Sequence, residues 1–129
     1  MILGHGVDFV NVSRIAATVE RFGDKFLNKI YTDSEIAYCF GHHKNNFALK
    51  FAARFAAKEA FSKAVGTGMN SDVTFKNIEI LHGKSGAPTI ALHGATKRFF
   101  ENNFQRAKIL LSLTDDQNFA FASVIIDSL

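Results

Sequence analysis

One stretch, Arg54-Phe55-Ala56-Ala57-Lys58-Glu59-Ala60-Phe61, restricts what this chain can become more than any other. Extended from Asn46 to Val65 and turned by about 100° per residue, it makes a helix with no plain solvent face. Ala53, Ala56, Ala57, Ala60 and Ala64 gather on one side with Leu49, a low stripe that predicts tight packing against another element. Arg54, Lys58, Glu59, Ser62 and Lys63 fall on the other side, among Phe47, Phe51 and Phe55. A solvated face does not normally mix phenylalanines with its charges. Two readings are open. The face is an aromatic floor for an anionic, metal-bridged ligand, or the helix is a core helix with i,i+4 charge pairs at its rim. Periodicity alone favours the second.

The 129 residues form a single domain, 1–129, long enough to bury a core. A charged fraction of 21% with one proline excludes a disordered chain. No run approaches the roughly 18 apolar residues of a membrane span. Met1 to Gly6 lacks the layout of a signal peptide, and Cys39 permits no internal disulfide, so a cytoplasmic location is expected. Cys39, between Tyr38 and Phe40, reads as a buried inert thiol. A net charge of +3 favours acidic or phosphate-bearing partners without establishing nucleic-acid binding. Fourteen phenylalanines with no tryptophan predict core or interface positions, and they allow an oligomer with buried subunit contacts.

Ile2 to Val10 reads as a strand in which Gly4 and Gly6 mark a close approach by backbone or ligand. Helices are expected over 13–21, capped by Asn11 or Ser13, and over 24–30. Thr32 and Glu35 have capping-box spacing and open a third helix through Phe40, followed by a loop over 41–45. The long helix ends at Gly66-Thr67-Gly68. Val73 to Leu81 and Thr89 to Leu92 read as a hairpin about a Gly83–Pro88 turn, 94–104 as a helix, and 107–114 with 119–127 as a second hairpin. The order predicts an α+β fold, a mainly antiparallel sheet packed against a long central helix.

Asp8 ends the first strand and Glu59 sits mid-helix facing the cations. Two carboxylates from separate elements, with lysines nearby, suit Mg²⁺ shared with phosphate oxygens. The plainer readings are a strand-end turn for Asp8 and an intrahelical pair with Lys63 for Glu59. Sequence separation does not decide between them. The five histidines make no metal signature, and adjacent His42 and His43 point apart. Gly66-Thr67-Gly68 is no Walker loop, and Asp115-Asp116 sits at a hairpin tip where aspartate is common.

Gly6-Val7-Asp8-Phe9-Val10, Arg14-Ile15, Arg54 through Ala64, Gly66-Thr67-Gly68, Gly86-x-Pro88, and Ser112-Leu113-Thr114 through Ala120-x-Ala122 together resemble the holo-[acyl carrier protein] synthase family. The resemblance covers essentially the whole chain. It implies transfer of 4′-phosphopantetheine from coenzyme A to a serine of apo acyl carrier protein, for fatty acid biosynthesis, with release of adenosine 3′,5′-bisphosphate. It implies Mg²⁺ held by Asp8 and Glu59, and a homotrimer with active sites at subunit boundaries. On this reading Glu59 and Lys63 are catalytic, with Lys63 on a phosphate oxygen. Arg54, Lys58 and Ser62 meet the nucleotide end or its 3′-phosphate, and Gly86 and Pro88 wall the adenine. Arg14 and Arg21, with Lys25 nearby, make a docking patch for an acidic acceptor. Asp115 stands where many relatives carry histidine, which leaves its role open. Two other readings compete. One is a magnesium-dependent pyrophosphate hydrolase built on Asp8, Glu59 and Lys63. The other is a nucleic-acid binder, which the scattered basic residues disfavour.

Overall fold

The structure, a computed structural model, describes residues 1–42 and 46–129. Strand β1 (Ile2–Asn11) leads into α1 (Val12–Phe22), α2 (Asp24–Ile30), α3 (Asp33–His42) and the long α4 (Phe47–Ala64). A short 3-10 turn, Phe75–Asn77, precedes the hairpin of β2 (Ile78–His82) and β3 (Pro88–Leu92). Helix α5 (Gly94–Asn103) and the strands β4 (Ala107–Asp115) and β5 (Phe119–Ser128) complete the chain. One antiparallel sheet runs β1-β5-β4, and β2-β3 forms a separate two-stranded arm. The expected α+β layout holds, with α4 packed along one face of the larger sheet.

Glycine determines how close that packing is. In β1, Gly4, Gly6, Asp8 and Val10 face α4, while Leu3, His5, Val7 and Phe9 face outward. A Cβ on Gly4 would collide with the Ala64 carbonyl, and one on Gly6 with the Ala60 carbonyl. The strand backbone therefore lies directly on the alanine stripe, as the two glycines predict. Ala56, Ala57 and Ala60 are completely buried.

The opposite face of α4 is covered too. Phe51 packs against Tyr31 with ring centroids 4.8 Å apart, and Phe55 stacks on Phe75 at 5.3 Å. This is the core helix that periodicity favoured, although its buried charges find partners far away in sequence rather than along its own rim.

Local signals placed most element ends. Asn11 caps α1 by accepting from the Ser13 amide at 2.9 Å. The Thr32–Glu35 capping box is closed both ways, Glu35 N–H to Thr32 Oγ1 at 3.2 Å and Thr32 N–H to Glu35 Oε1 at 2.9 Å. Two expectations need correction. Helix α3 continues to His42 rather than stopping at Phe40. Strand β2 starts at Ile78 rather than Val73, because Asn70 Oδ1 takes the amides of Asp72 and Val73, at 2.9 and 2.8 Å, and bends the chain there. The rest of the expected 41–45 loop, with the paired-histidine reading at His43, lies outside the described residues.

Candidate active site

The glycine contact that seats β1 on α4 also sets the chemistry. Asp8 lies two residues beyond Gly6 on the same strand face, beside the turn of α4 that carries Glu59 and Lys63. Lys63 donates to Asp8 Oδ1 and to the Val7 carbonyl, both at 3.0 Å. Lysine thus reaches across to the strand rather than pairing along its own helix. Asp8 and Glu59 share a cleft of about 420 Å³ whose walls include Phe9, Asn11, Arg14 and Phe55.

Glu59 shows how the two carboxylates feel each other. Burial raises its pKa above the ordinary 4.5, the neighbouring Asp8 charge raises it further, and Lys63 works against both. Two half-buried carboxylates in one cleft favour a cation between them. Among the described residues no cluster of three or more His, Cys, Asp or Glu side chains is present. Two carboxylates are the donor set a hard divalent ion would find here, with water and phosphate oxygens at its remaining positions.

A second cavity, of about 240 Å³, lies in the seam between the helices and the β2–β3 arm. Arg54 forms part of its wall. Arg54 is 2% exposed, its guanidinium rests 4.3 Å from the Tyr38 ring centroid, and its Nε has no hydrogen-bond partner among the described residues. A buried, unsatisfied guanidinium N–H is costly unless an anion meets it. His82, across the seam, stacks on Tyr38 at 5.0 Å and pairs its Nδ1 with the Gly86 carbonyl at 3.1 Å. That contact joins the cavity to the turn bearing Gly86, whose φ of 82° suits glycine, and Pro88, which opens β3 opposite His82.

Two predicted substrate contacts are corrected. Lys58 is completely buried, and its three ammonium donors meet Glu35, the Ile30 carbonyl and the Phe75 carbonyl at 2.7, 2.8 and 3.0 Å. It has no donor left for a phosphate. Ser62 is also buried, and its hydroxyl bonds back to the Glu59 carbonyl at 2.7 Å. Both lie on the predicted face, but neighbouring elements cover that face.

Arg14 lies on the wall of the carboxylate cleft, and Arg21 is exposed further along α1 with its guanidinium 5.1 Å from the Phe22 ring centroid. Asp115 is exposed at the end of β4, beside a surface cavity that also borders Phe9 and Phe119. Cys39 is buried, and burial pushes its thiol up to about 11, so it is unreactive as expected. Sequence reasoning missed Tyr38 and His82 as seam residues, because no local pattern links positions on α3 and β2. It recognised Glu35 only as a cap.

The sequence model of the 4′-phosphopantetheinyl transferase superfamily matches residues 4–122. This chain belongs to that superfamily. It is 46% identical over 127 residues to the holo-[acyl-carrier-protein] synthase of Koribacter versatilis (strain Ellin345), covering 98% of this chain and 99% of that relative. In three dimensions it is similar to the crystal structure of holo-[acyl-carrier-protein] synthase from Neisseria meningitidis, with a TM-score of 0.90, 34% identity, and coverage of 99% and 100% of the two chains. It is also similar to the synthase of Bacillus anthracis str. Ames in complex with coenzyme A (3′,5′-ADP), with a TM-score of 0.82, 32% identity, and coverage of 100% and 99%. Both Asp8 and Glu59 fall inside the matched region.

Proposed function

We propose that this chain transfers 4′-phosphopantetheine from coenzyme A to a serine of apo acyl carrier protein, as a holo-[acyl carrier protein] synthase serving fatty acid biosynthesis. The observation that carries the reading is the shared Asp8–Glu59 cleft with Lys63 bonded to Asp8, in a chain of the phosphopantetheinyl transferase superfamily. In the reaction the serine oxygen bonds to the pantetheine-bearing phosphorus. The bond from that phosphorus to the bridging oxygen breaks, and adenosine 3′,5′-bisphosphate leaves. The serine proton passes to a base in the cleft, either Glu59 itself or an ordered water. Charge is the main obstacle, and fixed cations in a preorganised cleft are what a protein can supply.

Asp8 and Glu59 would hold Mg²⁺, which would supply positive charge against the pyrophosphate. Lys63, half-exposed beside Asp8, adds a positive charge at the phosphate oxygens. Arg54 meets the phosphates of the nucleotide end through its Nε, which has no partner among the described residues, and Gly86 and Pro88 wall the adenine. Arg14, at the mouth of the cleft, and Arg21, farther along α1, receive the acidic acceptor.

A homotrimer completes the site. The outer face of the larger sheet carries Val7, Phe9 and Leu110 at 40%, 61% and 46% exposure, with Phe9 stacked on Phe119 at 4.6 Å. Phe9 borders both the carboxylate cleft and the cavity beside Asp115, so subunits meeting on this face would place each active site at a boundary. Among the described residues no helix is long and apolar enough to cross a membrane.

The deciding experiment is the intact mass of apo acyl carrier protein after incubation with this enzyme, coenzyme A and Mg²⁺, against an EDTA control. A gain of one phosphopantetheine, lost with EDTA, is expected. Coenzyme A breakdown without any gain on the carrier would instead establish the hydrolase.

A further inference from the structure

Glu35 and Lys58 form an ion pair with both side chains fully buried, 2.7 Å apart. Such a pair adds little stability by itself, because desolvation offsets the attraction. Burial lowers the pKa of Lys58, and the Glu35 charge and hydrogen bond oppose that shift. What distinguishes the pair is what else it holds.

Lys58 Nζ also donates to the Ile30 carbonyl, at the end of α2, and to the Phe75 carbonyl in the 3-10 turn. Glu35 Oε1 also accepts the Thr32 amide at 2.9 Å, and Oε2 accepts the Ile80 amide of β2 at 3.0 Å. Four backbone groups are gathered at one point, and of these the Phe75 carbonyl also accepts the Ile78 amide. Two of them, at Phe75 and Ile80, belong to the arm and its approach. The arm has no strand pairing with the larger sheet, so side chains fix its distance from α4. Other ties also reach the arm, Glu79 to Thr32, Ser34 and His93 and the His82 ring stacked on Tyr38, but they lie nearer the surface than the fully buried pair. Glu35 itself lies on the wall of the seam cavity with Arg54 and Ile80.

We propose that Glu35 and Lys58 are positioning residues for coenzyme A: together they clamp the β2–β3 arm, with Gly86 and Pro88, against α4 and so set the width of the seam in which Arg54 meets the nucleotide phosphates. The proposal rests on the transferase function above. The pair touches no reacting atom. It acts on the nucleotide end and leaves the acceptor surface on α1 alone.

Glu35→Gln tests it. The amide keeps the volume and one oxygen for Lys58 and Thr32, but it removes the charge opposite Lys58 and turns an NH₂ donor toward the Ile80 N–H, so the link to the arm is broken along with the ion pair. Titration calorimetry with coenzyme A and Mg²⁺ should show binding weakened about tenfold, the cost of one unsatisfied buried amide. The KM for coenzyme A should rise in parallel, with the carrier-protein KM and kcat at saturating coenzyme A unchanged. A lowered Tm with unchanged coenzyme A affinity would make the pair merely structural and overturn the proposal. Parallel loss in both KM values and kcat would overturn it too, as general distortion. If Glu35→Gln does not fold, Glu35→Leu/Lys58→Met, which removes both charges at similar volume, is measured in the same way. A wild-type chain that neither binds coenzyme A nor modifies the carrier refutes the functional reading itself. An active wild type with an unaffected variant refutes only the clamp.

Discussion

At the scale of single residues, Glu59 shows stability and function in conflict. Its carboxyl titrates above the ordinary 4.5 because it is buried and faces Asp8. A carboxyl raised in this way favours the fold while protonated, and that contribution is lost as pH rises through its folded pKa. Near neutral pH the metal-free fold therefore carries an unfavourable charge that a bound cation would relieve. Glu59→Gln should raise the Tm of the metal-free protein near neutral pH, lose that advantage below the ordinary carboxylate range, and abolish transfer. Thermal scans in EDTA across pH check this, and an unchanged or lower Tm at neutral pH would contradict it. Asp8 and Glu59 were legible as candidates from residue type and placement. That they share one cleft was not, since they lie 51 positions apart in the chain.

At the scale of elements, the β1–α4 contact controls both fold and site. The added Cβ of Gly6→Ala would also stand 2.6 Å from the Ala64 amide nitrogen, so strand and helix must separate. Overpacking against rigid backbone should cost about 3 kcal/mol and displace Asp8 from Glu59. Urea unfolding with a paired activity assay checks this. An alanine variant of wild-type stability would mean that the strand does not lie on the helix. The glycines announced the contact in the sequence because a gap in side chains has few other uses within a strand. The capping box was equally legible, being local. The bend at Asn70 was not, because an alternating pattern from Val73 onward hides a side chain that takes two backbone amides.

At the scale of the whole molecule, the open sheet face leaves the large apolar side chains Val7, Phe9 and Leu110 exposed. Phe9→Asp should shift a trimer toward monomer in light scattering behind size exclusion. It should also reduce transfer, because Phe9 borders the cleft. A wild-type monomer at working concentration would end the trimer reading. The phenylalanine excess allowed for this in the sequence without saying which rings would be covered. Phe51 and Phe61 turned out to be core, and Phe9 did not.

The sequence by itself determined the local matters: where helices start, where β1 must touch another backbone, and which carboxylates and cations are available. Helical periodicity also placed Arg54, Lys58, Ser62, Glu59 and Lys63 around one side of α4 correctly. It fixes direction about an axis, however, and not what lies in that direction. Only the tertiary structure laid α2, α3 and the 3-10 turn over part of that side. Lys58 was thereby turned into an internal clamp and Ser62 into a buried hydroxyl, while Glu59 and Lys63 were left at the cleft and Arg54 at the seam.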